Sequence, residues 1–304
     1  MPIEKKVIVR VAEGLGNQLF MYANGLALSK NINAALYVDN ESGFFKKKNK
    51  LRTREYNLDL FKTNIQICNS IDKFNSYPKD FVRKFLKILD FFKSKKLFLC
   101  ENLDNDNLLF KDQSSLSFNN KIYLEGHFES EKYFSFFEKQ LKSSLIVDTN
   151  LINKNDRLIN SLKSSNSVSI HIRRHRFSEE IGKNTISNVN KSDEFTKSII
   201  QYINRSVNFF RKKIDNPKFF IWSNDFSNLE NYFDDSFLFV KNNNLATDFY
   251  LFSLSKHFIV GPSTFHWWGA WLNNNSNKIC LRPKDIFLNP SNNKDFWPKS
   301  WIEI

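Results

Sequence analysis

The stretch Val168-Ser169-Ile170-His171-Ile172-Arg173-Arg174 places two adjacent arginines at the end of an expected strand, since branched apolar residues alternate with small or polar ones up to Ile172. In an open sheet of parallel strands, ligands bind just beyond the carboxyl ends. Paired guanidiniums at such a point suit a group with several negative charges, for example a diphosphate. The bland alternative is a surface strand end with two solvated arginines. The choice therefore depends on what else the chain brings to the same edge.

Two later loops bring matching chemistry. Ser223-Asn224-Asp225 follows an expected strand at 218–222, and Gly261-Pro262-Ser263-Thr264-Phe265 joins a strand at 257–260 to an aromatic helix. In a parallel sheet these loops share an edge with Arg173 and Arg174. Together they offer guanidiniums, hydroxyls, helix-start amides and a carboxylate, a set that suits a nucleoside diphosphate. Near the N-terminus, Glu13-Gly14-Leu15-Gly16-Asn17-Gln18 separates a strand at 6–12 from a helix at about 19–30. A glycine-rich turn there lets backbone amides face an anion or a sugar hydroxyl. The full GxGxxG fingerprint is missing because position 19 is Leu, and Asn17 and Gln18 equally suit helix caps. No Walker A sequence is present, which argues against ATP-type hydrolysis.

The elements that must hold these residues alternate between strand and helix along both halves, which predicts two α/β layers with parallel sheets facing a cleft. The length of 304 residues fits two domains. The polar stretch 150–166, leading into Ser164-Ser165-Asn166-Ser167, supplies the boundary, giving domains 1–163 and 164–304. Cys68, Cys100 and Cys280 lie far apart with no CxxC pair, which disfavours a disulfide framework or a zinc site and suits a reducing compartment. No apolar run reaches the roughly 18 residues of a membrane span, and Met1 to Val11 runs straight into a strand without a signal peptide. A cytoplasmic location is the expectation.

The net charge of +13 favours an anionic partner, although the lysines are dispersed, many of them among asparagines. One segment concentrates charge. Between Lys79 and Leu99, Phe81, Phe85, Ile88, Leu89 and Phe92 share a helical face, with Lys79, Arg83, Lys84, Lys87, Lys93, Lys95 and Lys96 around it. Such a helix lies on an anionic membrane or, more commonly, buries its apolar face in a core.

Four blocks in order carry a resemblance: Gly14-Leu15-Gly16-Asn17-Gln18-Leu19-Phe20 with Tyr22-Ala23; Leu124-Glu125-Gly126-His127-Phe128-Glu129-Ser130-Glu131-Lys132-Tyr133-Phe134; His171-Ile172-Arg173-Arg174; and Asp248 through Ser263-Thr264-Phe265-His266-Trp267-Trp268-Gly269-Ala270-Trp271-Leu272-Asn273. With them the chain resembles the α-1,2-fucosyltransferase family, inverting GDP-fucose-dependent enzymes of glycosyltransferase family 11. The resemblance implies a GT-B fold of two Rossmann-like domains, the first acceptor-side and the second donor-binding. It also implies GDP-β-L-fucose as donor and no required metal or other cofactor. Arg173 and His171 take the catalytic role, with Arg173 on the β-phosphate and His171 and Asp248 against the guanosine. Gly16, Asn17, Gln18, Arg174, Asp225, Ser263, Thr264 and Phe265 complete the donor contacts. Glu13, His127 and Asp225 are candidate bases for the acceptor hydroxyl, and the sequence does not choose among them.

The chain departs from the family pattern twice. Arg176 stands where HxRRxD has its carboxylate, and Glu13 replaces the leading glycine of GGLGNQ. Asp104-Asn105-Asp106 has the spacing of a cation-binding DxD pair, but its polar surroundings suit a solvated loop. The reading is a bacterial enzyme fucosylating a galactose, at O2, in a surface glycan such as O-antigen, with a lipid-linked acceptor and peripheral membrane contact. Its rivals are a GT-B enzyme of another linkage or nucleotide sugar, and a non-catalytic basic protein binding nucleic acid. Against the last, no helix-turn-helix or stacking-rich RNA motif is visible.

Overall fold

The computed structural model describes residues 4–45, 54–101, 109–178, 183–284 and 295–304. The chain divides into two α/β units. The first runs to Ile146 and includes a late segment ending at Pro298; the second begins at Val147 and includes the last residues from Lys299.

The first unit contains β1 (Lys6–Arg10), α1 (Leu15–Asn31), β2 (Ala35–Asp39), α2 (Tyr77–Phe91), β3 (Lys96–Cys100), β4 (Phe118–Glu125) and α3 (Glu138–Ser144). Its four strands are all parallel, in the order β2-β1-β4-β3. Val7, Ile8 and Val9 on β1 and Ile122 on β4 are fully buried, as both-sided cover of a parallel sheet requires. Helix α1 begins four residues before the expected start, because Gly14 takes an extended N-cap conformation directly after the turn. The late segment belongs to this unit: Ser130 Oγ donates to the Asp295 carbonyl at 2.7 Å, and Phe296 packs on Phe20.

Helix α2 corrects two expectations. It stops at Phe91, and the residues expected to continue it form β3. Asp90 explains the break: its buried carboxylate accepts the amides of Leu97 (2.7 Å) and Phe98 (3.0 Å), turning the chain into the strand. The run Leu97-Phe98-Leu99 then joins the sheet, with Phe98 stacked on Tyr123. The second correction concerns orientation. The apolar face of α2 is exposed, whereas Asp80 and Asp90 are buried and Arg83 and Lys87 turn inward to Glu125 at the end of β4. The core-helix reading of the apolar stripe therefore fails.

The second unit contains α4 (Asp156–Ser164), β5 (Asn166–Ile172), α5 (Ile186–Lys213), β6 (Pro217–Ser223), β7 (Phe237–Phe239), α6 (Leu245–Ser253), β8 (His257–Ile259), α7 (Thr264–Leu272), β9 (Cys280–Arg282) and β10 (Ile302–Glu303). Six parallel strands run in the order β10-β9-β8-β5-β6-β7. The polar stretch before β5, expected to be a connection, holds α4; Asn155 caps it by accepting the Leu158 amide at 3.1 Å, and Leu162 is fully buried.

Strand β5 has two different faces. Val168, Ile170 and Ile172 enter an apolar cluster with Phe195, Ile199 and Ile203 of α5. Ser167, Ser169 and His171 face the other way, where Ser169 Oγ bonds Ser255 Oγ at 2.6 Å. Small hydroxyls allow close packing on that side. Among the described residues no helix is long and apolar enough to cross a membrane.

Replacing Asp90 with Ala leaves the Leu97 and Phe98 amides without their acceptor. The expected loss is about 1–3 kcal/mol, read as a lower urea midpoint at unchanged slope.

Candidate active site

Strand order defines where a ligand is best received. From β5 the second sheet grows one way through β6 and β7 and the other way through β8, β9 and β10. The carboxyl ends of β5 and β8 therefore form a topological switch point, where the following loops diverge and leave a crevice. The β5–β8 register pairs Ile170 with Ile259, so continuing it brings Arg173 level with Pro262. The sequence-derived residues Arg173, Ser263, Thr264 and Phe265 thus gather at one strand edge. Helix α7 begins there at Thr264, with Ser263 as N-cap and no side-chain cap bond to its first amides. The helix thus presents the positive end of its dipole at the edge where Arg173, half-buried, also stands.

His171 lies beneath this tip. Its ring stacks on His266 with centroids 3.5 Å apart and planes 20° apart. Burial drives the pKa of both imidazoles well below the ordinary range, the Arg173 charge pushes both further down, and His171 does the same to His266. Both rings are therefore neutral at pH 7. His171 is only 3% exposed, so the stack supports the strand end from below. Gly261 makes room for it: a Cβ there would sit 3.1 Å from the His171 carbonyl and 3.3 Å from its Nδ1.

Arg174 plays a different part from Arg173. Its amide donates to Asn224 Oδ1 (2.7 Å), and Asn224 Nδ2 donates to the Arg174 carbonyl (3.0 Å). This reciprocal pair locks the loop after β5 to the loop after β6. The Arg174 guanidinium donates to Asp225 Oδ2 at 3.1 Å and to the Ser227 carbonyl. His175, at a positive φ of 55°, adds its Nε2 to Asp225 Oδ2 at 2.6 Å. Burial alone would raise the Asp225 pKa, but the Ser227 amide, His175, the Ser227 hydroxyl and Arg174 together hold it at about 2. Arg176, the departure from the family pattern, donates to the Pro262 carbonyl at 3.1 Å, and its guanidinium lies over the Phe195 ring. It ties the β5 loop directly to the β8 loop.

Next to the switch point, an open cavity of about 590 Å³ is lined by the β6 and β7 loops and by Asp248 of α6. Asp225 and Asp248 share this cavity with opposite electrostatics. Burial pushes the Asp248 carboxyl up to about 6, only partly offset by the bond from Asn243 Nδ2 at 3.0 Å. Asn242, at φ 63°, and Asn243 were not singled out in the sequence. In a chain so rich in asparagine, two more in a loop carry no visible signal.

In the first unit the switch point lies between β1 and β4. It brings Glu13, Gly16 and Asn17 after β1 to the same edge as His127 after β4, and Asn17 Nδ2 donates to Glu129 Oε1 at 3.3 Å. Gly16 and Asn17 sit in the first turn of α1, whose N-cap Gly14 makes no side-chain cap bond. Gln18 does something else. It is fully buried, its Nε2 donates to the carbonyls of Glu13 (2.9 Å) and Glu55 (2.8 Å), and its Oε1 accepts the Asn57 amide (2.9 Å). Both amide hydrogens are used within the protein, so Gln18 braces the turn. Glu13 takes φ 64°, the left-handed region, which accounts for the family's glycine there. Arg54, unremarked in the sequence, places its guanidinium 3.0 Å from where a Cβ of Gly14 would stand. His127 Nδ1 lies 3.7 Å from Glu129 Oε1. Asp104 and Asp106 fall outside the described residues, and no cluster of metal-binding side chains occurs within them.

The fold recurs in solved fucosyltransferases. NodZ α-1,6-fucosyltransferase soaked with GDP-fucose, a protein from Bradyrhizobium, superposes with a TM-score of 0.51 at 12% identity, covering 88% of this chain and 92% of its own. A variant of Arabidopsis thaliana FUT1 in complex with GDP gives 0.51 at 13% identity, covering 98% and 76%. The protein therefore has the GT-B fold of glycosyltransferases. Residues 4–304 match the model of glycosyl transferase family 11, and the chain belongs to that family. Among its relatives are an α-1,2-colitosyltransferase of Escherichia coli, 28% identical over 98% of both chains. Another is the O-antigen biosynthesis glycosyltransferase WbnK of the same organism, 24% identical over 96% of this chain and 98% of its own.

The two cavity carboxyls predict opposite pH effects. With its pKa raised, Asp248 contributes stability that is complete below about pH 3.8 and is lost as pH rises through about 6. Asp225, with its pKa depressed, contributes stability above about pH 3.8 that is lost as pH falls through about 2. Asp248→Asn should accordingly raise the urea midpoint at pH 8 relative to the parent protein and leave it nearly unchanged at pH 4. An equal effect at both pH values contradicts the assignment.

Proposed function

We propose that this family 11 enzyme transfers L-fucose from GDP-β-L-fucose to a galactoside hydroxyl, O2, with inversion, building a bacterial surface glycan such as O-antigen on a lipid-linked acceptor in the cytoplasm. The observation that carries the reading is the pairing of Arg173 with the uncapped start of α7 at the β5–β8 switch point. Breaking the fucose–phosphate bond builds negative charge on the departing GDP. Preorganised donors already aimed at that charge lower the barrier without solvent reorganisation. Arg173 holds the β-phosphate, while the amides of Thr264 and Phe265 and the Ser263 hydroxyl close around the diphosphate. Asp248 accepts from the donor face of guanine in the cavity beside it. Arg174 and Asp225 keep the loops in place, and His171 acts as a positioning residue beneath Arg173.

On this reading the second unit binds the donor and the first serves the acceptor. Gly16 and Asn17 offer amides and a side chain from the first unit. Of the three candidate bases, Asp225 is unsuited: a carboxylate with a pKa near 2 barely attracts a proton. His127, whose Nδ1 lies 3.7 Å from the Glu129 carboxylate, takes the acceptor proton, and Glu13 serves the turn.

A second reading is specifically favoured by the colitosyltransferase relative: the donor is GDP-colitose, which lacks a hydroxyl that fucose carries. Membership of a glycosyltransferase family leaves the nucleic-acid reading without support.

Incubation with GDP-fucose, GDP-colitose, GDP-mannose and UDP-sugars over an array of galactosides, followed by linkage analysis, decides the donor and the bond formed. Arg173→Ala, shown folded by its melting curve, should lose at least ~100-fold in kcat with the preferred donor; near-parental turnover refutes the central assignment. His127→Gln, shown folded by its melting curve, should lower kcat at least ~100-fold. Near-parental turnover would exclude His127 as the base.

A further inference from the structure

Helix α2 is built inside out. Phe81, Phe85, Ile88 and Phe92 follow one another at the spacing of a single helical face, and they are 73%, 54%, 62% and 80% exposed. The charged face points inward. Arg83 bridges Asp80 and Glu125, Lys87 bonds the same Glu125 oxygen at 2.9 Å, and Asp90 caps the start of β3. These ion pairs, together with Leu86 packed on the core cluster, hold the helix to its sheet. The large apolar stripe has been left outside, where a soluble surface has no use for it.

The charge around the stripe identifies its occupant. Lys79, Lys84, Lys93 and Lys95 are exposed beside it. The two carboxylates of the segment, Asp80 and Asp90, are buried, so its outward surface carries only positive side chains. A second copy meeting this face about a two-fold axis would set lysines against lysines. A bilayer rich in anionic lipid supplies hydrocarbon for the rings and negative headgroups for the ammonium groups. We propose that the outward face of α2, with Phe81, Phe85, Ile88 and Phe92 in the acyl boundary and the flanking lysines on the headgroups, docks this protein on an anionic membrane surface. The surface does not depend on which nucleotide sugar is used. It extends the functional reading by bringing the enzyme to a lipid-borne acceptor.

The test is co-flotation of the full chain with vesicles of phosphatidylglycerol and phosphatidylethanolamine, against vesicles of phosphatidylcholine alone. Binding to the anionic vesicles should be at least ~10-fold stronger and should weaken with salt. The combined F81S, F85S and F92S variant should reduce it at least ~10-fold, as should K93E with K95E. Both sets lie on the exposed face, so melting temperature and transfer to a soluble galactoside should be retained. K212E with K213E, at the far end of α5 in the second unit, is the control for diffuse attraction by net charge and should bind as the parent does. Three results overturn the proposal: no flotation of the folded parent, flotation indifferent to the serine variant, or a solution dimer that the serine variant dissolves. The last would assign the face to a second copy. Because flotation needs no donor, its failure and a failure of the fucose assignment are separately visible.

Discussion

Parallel strands all deliver their loops to one edge, and the divergence of β5 and β8 decides what that edge can do. At a switch point neighbouring loops turn opposite ways, so the crevice between them stays unfilled by the chain itself. Arg173 stands on one strand tip and a helix start that no side chain caps on the other, the pairing on which the proposed hold on a multiply charged leaving group rests. Neither would suffice alone. A helix start offers partial charge over its first turn, and one guanidinium offers charge without enclosure. Their juxtaposition follows from strand order, which is why topology carries more functional meaning here than any single motif.

Holding that edge is a separate task, and the other charged residues perform it. Arg174 and Asn224 lock two loops reciprocally, Asp225 gathers Arg174, His175 and Ser227, and Arg176 reaches the Pro262 carbonyl. The replacement of the family's carboxylate by Arg176 thus changes the means of bracing. A guanidinium of fixed fork geometry, lying on Phe195, can fasten a carbonyl that a carboxylate could not. The neighbouring histidines contribute by remaining uncharged. A protonated imidazole under Arg173 would repel it, and burial prevents that state.

How much of this was legible depended on how local its cause is. Alternation through Ile170 and Ile172 marked β5, and the Gly261-Pro262-Ser263 punctuation marked the start of α7, because turn chemistry is written in adjacent residues. The helix N-terminal to β5 was hidden because it is short and mostly polar, with Leu158, Ile159 and Leu162 alone marking its inward side. Strand β3 was hidden by an amphipathic pattern running on past Phe91; its boundary rests on Asp90 reaching Leu97 and Phe98, a contact between side chain and backbone that periodicity does not encode. Arg173 and Ser263 stand out in the sequence because they lie in runs of unusual type. Gln18 carries no such signal, since glutamine at a helix start looks the same whether it faces solvent or braces Glu55 and Asn57, as it does here.

The orientation of α2 shows why an amphipathic pattern does not by itself reveal which side is inside. Burying apolar area ordinarily decides, at roughly 25 cal/mol per Å². Here the underlying sheet ends in Glu125, which is 8% exposed and lies in the field of Arg10 as well as Arg83 and Lys87. An unpaired carboxylate at that depth would cost several kcal/mol, a penalty of the same order as the roughly 1.5–3 kcal/mol that burying each ring of the stripe would return. Burial raises the Glu125 pKa, but the three cations outweigh it and hold the group ionised, so the pairing is self-consistent. With Arg83 and Lys87 committed to that strand end, the helix presents its charged face to the sheet, and the apolar stripe lies on the opposite, exposed side.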